Sequence, residues 1–393
     1  HQYLKVSTEE NIFSSGAAIS MQYGSGDSKK MRQSVFMSFC LIAGISIALN
    51  IIVYIGMDFI LWALQIPNEI QAMMRDYLEI IFLGITATFI YNYFANLLRA
   101  IGNSVLPLVF LAVSAVLNVV LDLVCVLVFN WGVKGAAIAT VFSEFISAIG
   151  IAIYTFKRFK QLIPEKEDMK WNRNNLSAIL NLSVMTSLQQ SIMNFGILMV
   201  QGLVNSFGTV IMAAFAAAVK IDSFAYMPVQ DFGNAFSTYV AQNYGAGKQE
   251  RIRKGIKSAF VTSVIFCAII SLLVIVFAKP LMCIFINPEE TEIISAGVIY
   301  LCIEGSCYIG IGILFLLYGY YRAVNKPFMS VVLTVISLGT RVLLAYILSA
   351  IPAIGVIGIW VSVPIGWALA DITGVVYYFV KSKKQLEMIE NNE

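Results

Sequence analysis

The residues best placed to do chemistry lie where a carboxylate is least expected, inside long apolar stretches. Asn118 and Asp122, in Leu117-Asn118-Val119-Val120-Leu121-Asp122, are four apart, so on a helix they share a face. The next apolar stretch carries Ala136 and Thr140, again one turn apart. A carboxylate beside an amide oxygen can hold a proton or a small hard cation such as Na⁺, and the Thr140 hydroxyl could complete the cage. The competing reading is a helix–helix hydrogen bond with no ligand. An ionisable side chain at the centre of a bilayer costs about 2.5–3.5 kcal/mol on insertion scales, so each one demands an account.

The second half holds further examples: Lys220, Asp222, Asp231, Glu304 and Arg341. Arg341 needs a partner, and Glu304 or Asp231 is the expected one, either as a structural ion pair or as a charged wall that senses protons or substrate. Lys220 and Asp222 are expected to neutralise each other. Glu144, one turn beyond Thr140, belongs either to the same cavity or to the cytoplasmic rim. Gln189, Gln190, Asn194 and Gln201 string along one helix. With Met193, Met199, Tyr226, Met227, Phe232 and Phe236 they would give a wet, adaptable lining for varied lipophilic ligands.

The elements that must position these groups are membrane spans. Only 12% of the 393 residues are charged and 59% are hydrophobic, against about 25% charged in soluble domains. Spanning helices need roughly 20 mostly apolar residues. After a partial helix at 12–23, such stretches occur near 33–65, 75–101, 106–129, 133–157, 176–207, 210–243, 256–286, 293–321, 327–349 and 354–380. This predicts an all-α polytopic membrane protein with about eleven helices. One set of loops holds nearly all the Lys and Arg, including Lys29, Lys30, Arg32, Lys157, Arg158, Lys248, Arg251, Arg322 and Lys381. The alternate set holds Arg75, Lys134 and Lys279 among acids. The bias places the 158–175 segment and the C-terminal tail in the cytoplasm of a cell whose inner (plasma) membrane carries the chain. An even span count then favours twelve, with the first helix lying before residue 1.

An internal repeat runs through the chain. Gln22-Tyr23-Gly24-Ser25-Gly26 returns as Asn243-Tyr244-Gly245-Ala246-Gly247, Pro67 as Pro288, Tyr77-Leu78 as Tyr300-Leu301, Arg99-Ala100 as Arg322-Ala323, and Gly132-Val133-Lys134-Gly135 as Gly355-Val356-Ile357-Gly358. All keep an offset of 221 to 223 residues. A repeat that spans an even number of helices is parallel, with its axis along the membrane normal. The expected organisation is two six-helix lobes around a cleft: residues 1–157 (without the first helix), a cytoplasmic linker at 158–175, a second lobe at 176–380, and a tail at 381–393. The six cysteines form no CxxC pair and read as small buried apolar residues. No Walker loop, GxSxG elbow or HExxH motif is present, so no enzymatic activity is expected and uphill transport would draw on an ion gradient.

In order, Ala17–Gly26, Tyr239–Gly247, Arg99-Ala100-Ile101-Gly102-Asn103, Asn118 with Asp122, and Gly132–Thr140 resemble the MATE (multidrug and toxic compound extrusion) transporters, over about residues 12–380. The resemblance implies a twelve-helix, two-lobe antiporter that exports small organic, often cationic, compounds in exchange for H⁺ or Na⁺. It also implies that Asn118, Asp122, Thr140 and the Ala136 carbonyl match the family's first-lobe cation site. Two departures stand out. The family's first helix, with its aspartate, is not in this sequence, and the acid some members carry on the first helix of the second lobe is replaced by Gln189, Gln190 and Asn194. A monomer is expected, with no cofactor beyond the coupling ion and no nucleic-acid partner. The rival readings are a flippase for lipid-linked oligosaccharide, and a channel or non-transporting membrane protein.

Overall fold

The computed structural model describes residues 16–63 and 68–382, and among these it is all-α, with no strand. The expected starting point of the first helix at Ile12, the polar residues 1–11, Pro67 and the tail beyond Ser382 lie outside the described residues. The chain divides into two compact units, residues 1–184 and 185–393.

In the first unit, α1 (residues 16–24) ends in a turn through Gly26, whose φ of 74° only glycine adopts without strain. Asp27 then caps α2 (Ser28–Ile55), its carboxylate accepting from the Lys30 N–H. The stretch predicted as one span over 33–65 is broken at Gly56 and continues as α3 (Met57–Ala63). The rest of the unit is α4 (Asn68–Ala100), α5 (Val105–Leu123), a π-helical segment Val124–Val128, α6 (Gly132–Arg158) and the start of α7 (Arg173–Asn205). The core of this unit is aliphatic and aromatic: Ile19, Met31, Val35, Ile42, Phe89, Tyr93, Leu98 and Ile151 pack together.

The second unit takes the remainder of α7, then α8 (Thr209–Gly245), α9 (Gln249–Val276), α10 (Ala278–Phe285), α11 (Thr291–Gly305), α12 (Tyr308–Ala323), α13 (Pro327–Ser349) and α14 (Val356–Tyr377). Phe215, Tyr300 and Trp360 form its aromatic centre, with Phe215 stacked on Trp360 at 5.4 Å and Tyr300 edge-on to Trp360 at 5.0 Å.

The internal repeat reappears as geometry. Residues in left-handed backbone recur at the sequence offset: Gly26 with Gly247, Gly102 with Asn325, and Gly132 with Gly355. The helix pair α2–α3 returns as α9–α10, with the break at Gly56 answered at Phe277. One pair differs. α4 is continuous, whereas its counterpart is α11 and α12, bent by 52° at the Gly305–Cys307 break. A Gly-Ser pair at 305–306 is a common site of such kinks.

Among the described residues, eight helices are long and apolar enough to cross a membrane, or nine if the bent pair is one span. α7, predicted as a span, is 33 residues long but falls outside that set. The Asn, Gln and Ser residues scattered along it dilute its apolar character.

Candidate functional site

The seam between α5 and α6 is a ladder of hydroxyl and amide hydrogen bonds at helical spacing. At its first rung Ser147 Oγ donates to the Phe110 carbonyl at 2.8 Å, and at the second Ser114 Oγ donates to the Ser143 carbonyl at 3.0 Å. At the third, Asn118 Nδ2 donates to Thr140 Oγ1 at 3.3 Å, and Thr140 Oγ1 donates on to the Ala136 carbonyl at 3.0 Å. The α5 members are Phe110, Ser114, Asn118 and, one turn further, Asp122. The fourth rung is incomplete: Asp122 Oδ1 is buried without a hydrogen-bond partner among the described residues. The first three rungs are the helix–helix glue of the competing reading, and the fourth departs from it.

Immediately after Asp122 the helix widens into the π segment Val124–Val128, closed by Phe129 N–H to the Val124 carbonyl at 3.0 Å. Such bulges often mark functional positions. Nothing in the run Val124-Cys125-Val126-Leu127-Val128 signals it in the sequence. Glu144 accepts from Thr88 Oγ1 at 3.0 Å, against Gly84 of α4.

A second polar cluster lies in the other unit, at the α11–α12 break. Asp222 of α8, 5% exposed, accepts from Tyr300 Oη on Oδ2 at 3.2 Å and from Tyr308 Oη on Oδ1. It also shares a hydrogen bond with Glu304, 2% exposed at the end of α11. Arg341 of α13 acts electrostatically on both carboxyl groups. Arg341 Nε and Glu304 Oε1 are buried without hydrogen-bond partners among the described residues. Glu304 thus lies within electrostatic reach of Arg341 with no ion pair between them among the described residues, and the cluster includes Asp222, Tyr300 and Tyr308.

Asp231, the other partner considered for Arg341, is exposed instead. The expected pairing of Lys220 with Asp222 is not formed: Lys220 Nζ lies over the Phe285 ring at 5.8 Å from its centroid. Residues two apart on a helix point in different directions, so the pair was geometrically excluded.

The residues read as an adaptable lining differ in burial and contacts. Gln189 is 6% exposed, with Oε1 lacking a partner, while Gln190, Met193 and Asn194 are half-buried on the same helix. Tyr226 packs against Phe315, ring centroids 6.5 Å apart, and takes a hydrogen bond from Ser223 Oγ. Phe232 lines a small cavity of about 190 Å³ with Pro228, Val229, Thr262, Ser263 and Phe266, and Phe236 is buried in the unit's interior at 7% exposure.

Long apolar helices, hydroxyl-laced seams and ionisable groups buried within spans define a multi-pass helical membrane protein with polar sites inside the membrane. The MatE family model matches residues 13–124 and 183–347, and the chain belongs to that family. It is 30% identical over 321 residues to the probable multidrug resistance protein YpnP of Bacillus subtilis, covering 81% of this chain and 71% of that one. It is 26% identical to the probable multidrug resistance protein YoeA of the same organism, covering 95% and 82%. A crystal structure of MATE in a bent conformation matches with a TM-score of 0.90 at 19% identity, covering 99% of this chain and 86% of that one.

Proposed function

We propose that this chain is a secondary active multidrug efflux transporter, an antiporter that exchanges H⁺ or Na⁺ for small organic, often cationic, compounds by alternating access. The observation that carries this reading is the buried, unpartnered Asp122 Oδ1, one helical turn beyond the Asn118–Thr140–Ala136 hydrogen-bond chain of the α5–α6 seam, in a chain of the MatE family. A proton or a hard cation supplies what Asp122 Oδ1 lacks, since carboxylate, amide, hydroxyl and carbonyl oxygens are the ligands such a cation takes. Neutralising the carboxylate removes the cost of packing it against α6, so the loaded and empty forms favour different arrangements of this seam. An exported cation favours the ionised form, and the two ligands therefore oppose each other. Coupling is that difference in affinity between states. The Asp222–Glu304–Arg341 cluster is a second place in the same reading where charge can be exchanged within the membrane. The concentration of Lys and Arg in one set of loops supports a location in the cell's inner membrane with the C-terminus in the cytoplasm.

The test is efflux of a fluorescent organic cation from vesicles with pH and Na⁺ gradients imposed separately. Efflux driven by one gradient and lost in Asp122→Asn supports the reading. Efflux by Asp122→Asn equal to that of the parent would sink the assignment of the coupling site.

A further inference from the structure

Asp371 is a third buried carboxyl in the second unit and belongs to neither polar cluster. It sits within α14, its residue is 9% exposed, and its Oδ1 is buried without a hydrogen-bond partner among the described residues. The contrast with Asp222, which is held by two tyrosines and Glu304, is plain. Three cations of this unit are engaged elsewhere: Arg341 acts on Asp222 and Glu304, Arg322 Nη2 donates to Asn234 Oδ1 at 3.1 Å, and Lys220 lies over Phe285. The titratable group facing Asp371 from α12 is Tyr318, which feels the charge of Arg322 as well and is hydrogen-bonded to Thr334 of α13. Trp367 flanks it on its own helix.

What stands opposite Asp371 is bare backbone. A Cβ added at Gly310 would lie 3.5 Å from Trp367 Cβ and 3.6 Å from Asp371 Oδ2. Both are ordinary contacts, so the glycine is not required for clearance; its effect is to leave the carboxyl facing the main chain. Gly310 belongs to the first turn of α12, directly after the 52° bend. The carboxyl therefore lies beside the first turn of that half-helix, where the positive end of its dipole favours a carboxylate. A carboxylate without a partner at this depth is nonetheless costly, and a bound proton removes the cost.

We propose that Asp371 is a proton-binding site: its carboxyl is neutral while α12 and α14 meet at Gly310, and it ionises when movement at the Gly305–Cys307 bend opens that contact. The O–H bond breaks, the proton passes to water entering the gap, and the α12 N-terminus stabilises the carboxylate left behind. Closing the contact reverses the transfer, with the proton taken back from water. The site is separate from Asp122 and from the Asp222–Glu304 pair, and it does not depend on which compound is transported.

The test is infrared spectroscopy of the full chain in lipid bilayers, reading the C=O stretch of protonated carboxyl groups. At pH 7 one component should disappear in Asp371→Asn, shift without disappearing in Asp371→Glu, and persist in Glu304→Gln. The Glu variant keeps the proposal testable if the Asn variant does not fold. As pH rises and this component is lost, amide hydrogen exchange at residues 305–311, corrected for its intrinsic pH dependence, should rise over the same range. A spectrum unchanged by both Asp371 variants would overturn the proposal. So would exchange at 305–311 that stays flat while the component is lost.

Discussion

Removing one hydroxyl, in Tyr308→Phe, tests whether the second-unit cluster is held as its geometry indicates. Tyr308 is 3% exposed and Asp222 5%, so neither group has water to turn to when the other is lost. Hydrogen bonds to charged groups contribute about 1.5–3 kcal/mol, whereas bonds between membrane helices average about 0.6 and reach about 1.7 kcal/mol. Full burial and a carboxyl acceptor place this one toward the top of the membrane range, at about 1–2 kcal/mol, or roughly 5- to 30-fold in the unfolding equilibrium. The Tyr300 bond, at 3.2 Å, is longer than the usual O–H···O range, and Tyr300→Phe keeps the ring packing on Trp360. Its loss should be smaller, about 0.5 kcal/mol. The assay is a double-mutant cycle of Tyr308→Phe with Asp222→Leu, read by reversible unfolding in mixed micelles. A coupling energy below about 0.3 kcal/mol, or a larger one for Tyr300 than for Tyr308, would refute the reasoning.

Two further outcomes follow from the packing. A Cβ at Gly233 would stand 2.9 Å from the Phe315 carbonyl oxygen and 3.1 Å from its carbonyl carbon, with main chain that cannot yield, so Gly233→Ala should cost about 1–3 kcal/mol in the same unfolding assay. Gly202, with nothing within 4 Å of its Cβ position, is the control, and its change to alanine should stabilise by up to about 1 kcal/mol. In the segment after α6, burial pushes the Asp168 carboxyl up. The Arg32 guanidinium at 2.5 Å, the Glu165 N–H and the charge of Lys29 outweigh that and hold it below the usual carboxylate range. Its contribution is therefore complete above pH of about 4 and fades as pH falls through the lowered value. Asp168→Asn should expose Lys160, Lys166 and Lys170 to trypsin at neutral pH, and parent-like resistance would contradict the clasp.

The repeat and the spans were legible because they rest on features visible in any register: glycines that must adopt left-handed backbone, basic loops, and apolar stretches long enough to cross a bilayer. Gly26, Gly132 and Gly355 of the repeated motifs adopt left-handed backbone in the structure. Asn118, Ala136 and Thr140 could be placed together because four-residue spacing fixes a helix face, and the structure joins them. The second-unit cluster was only half legible. Glu304 and Arg341 signalled themselves as charges in apolar surroundings, but Tyr300 and Tyr308 reach Asp222 only because the chain bends between α11 and α12. The first copy of the repeat has Ile81 at the position of Glu304 and an unbroken α4, so symmetry gave no hint of the bend. The burial of Asp371 depends on how α12 and α14 meet, which its sequence neighbourhood does not reveal.

The most direct test of the central claim is equilibrium binding of a fluorescent organic cation to the purified chain, with pH and Na⁺ varied in turn, for the parent and for Asp122→Asn. The account predicts that one of the two ions weakens binding in the parent, approaching tenfold per tenfold rise in that ion once its site is filled, and that Asp122→Asn binds the cation independently of both. Ion dependence that survives undiminished in Asp122→Asn would place the coupling site elsewhere.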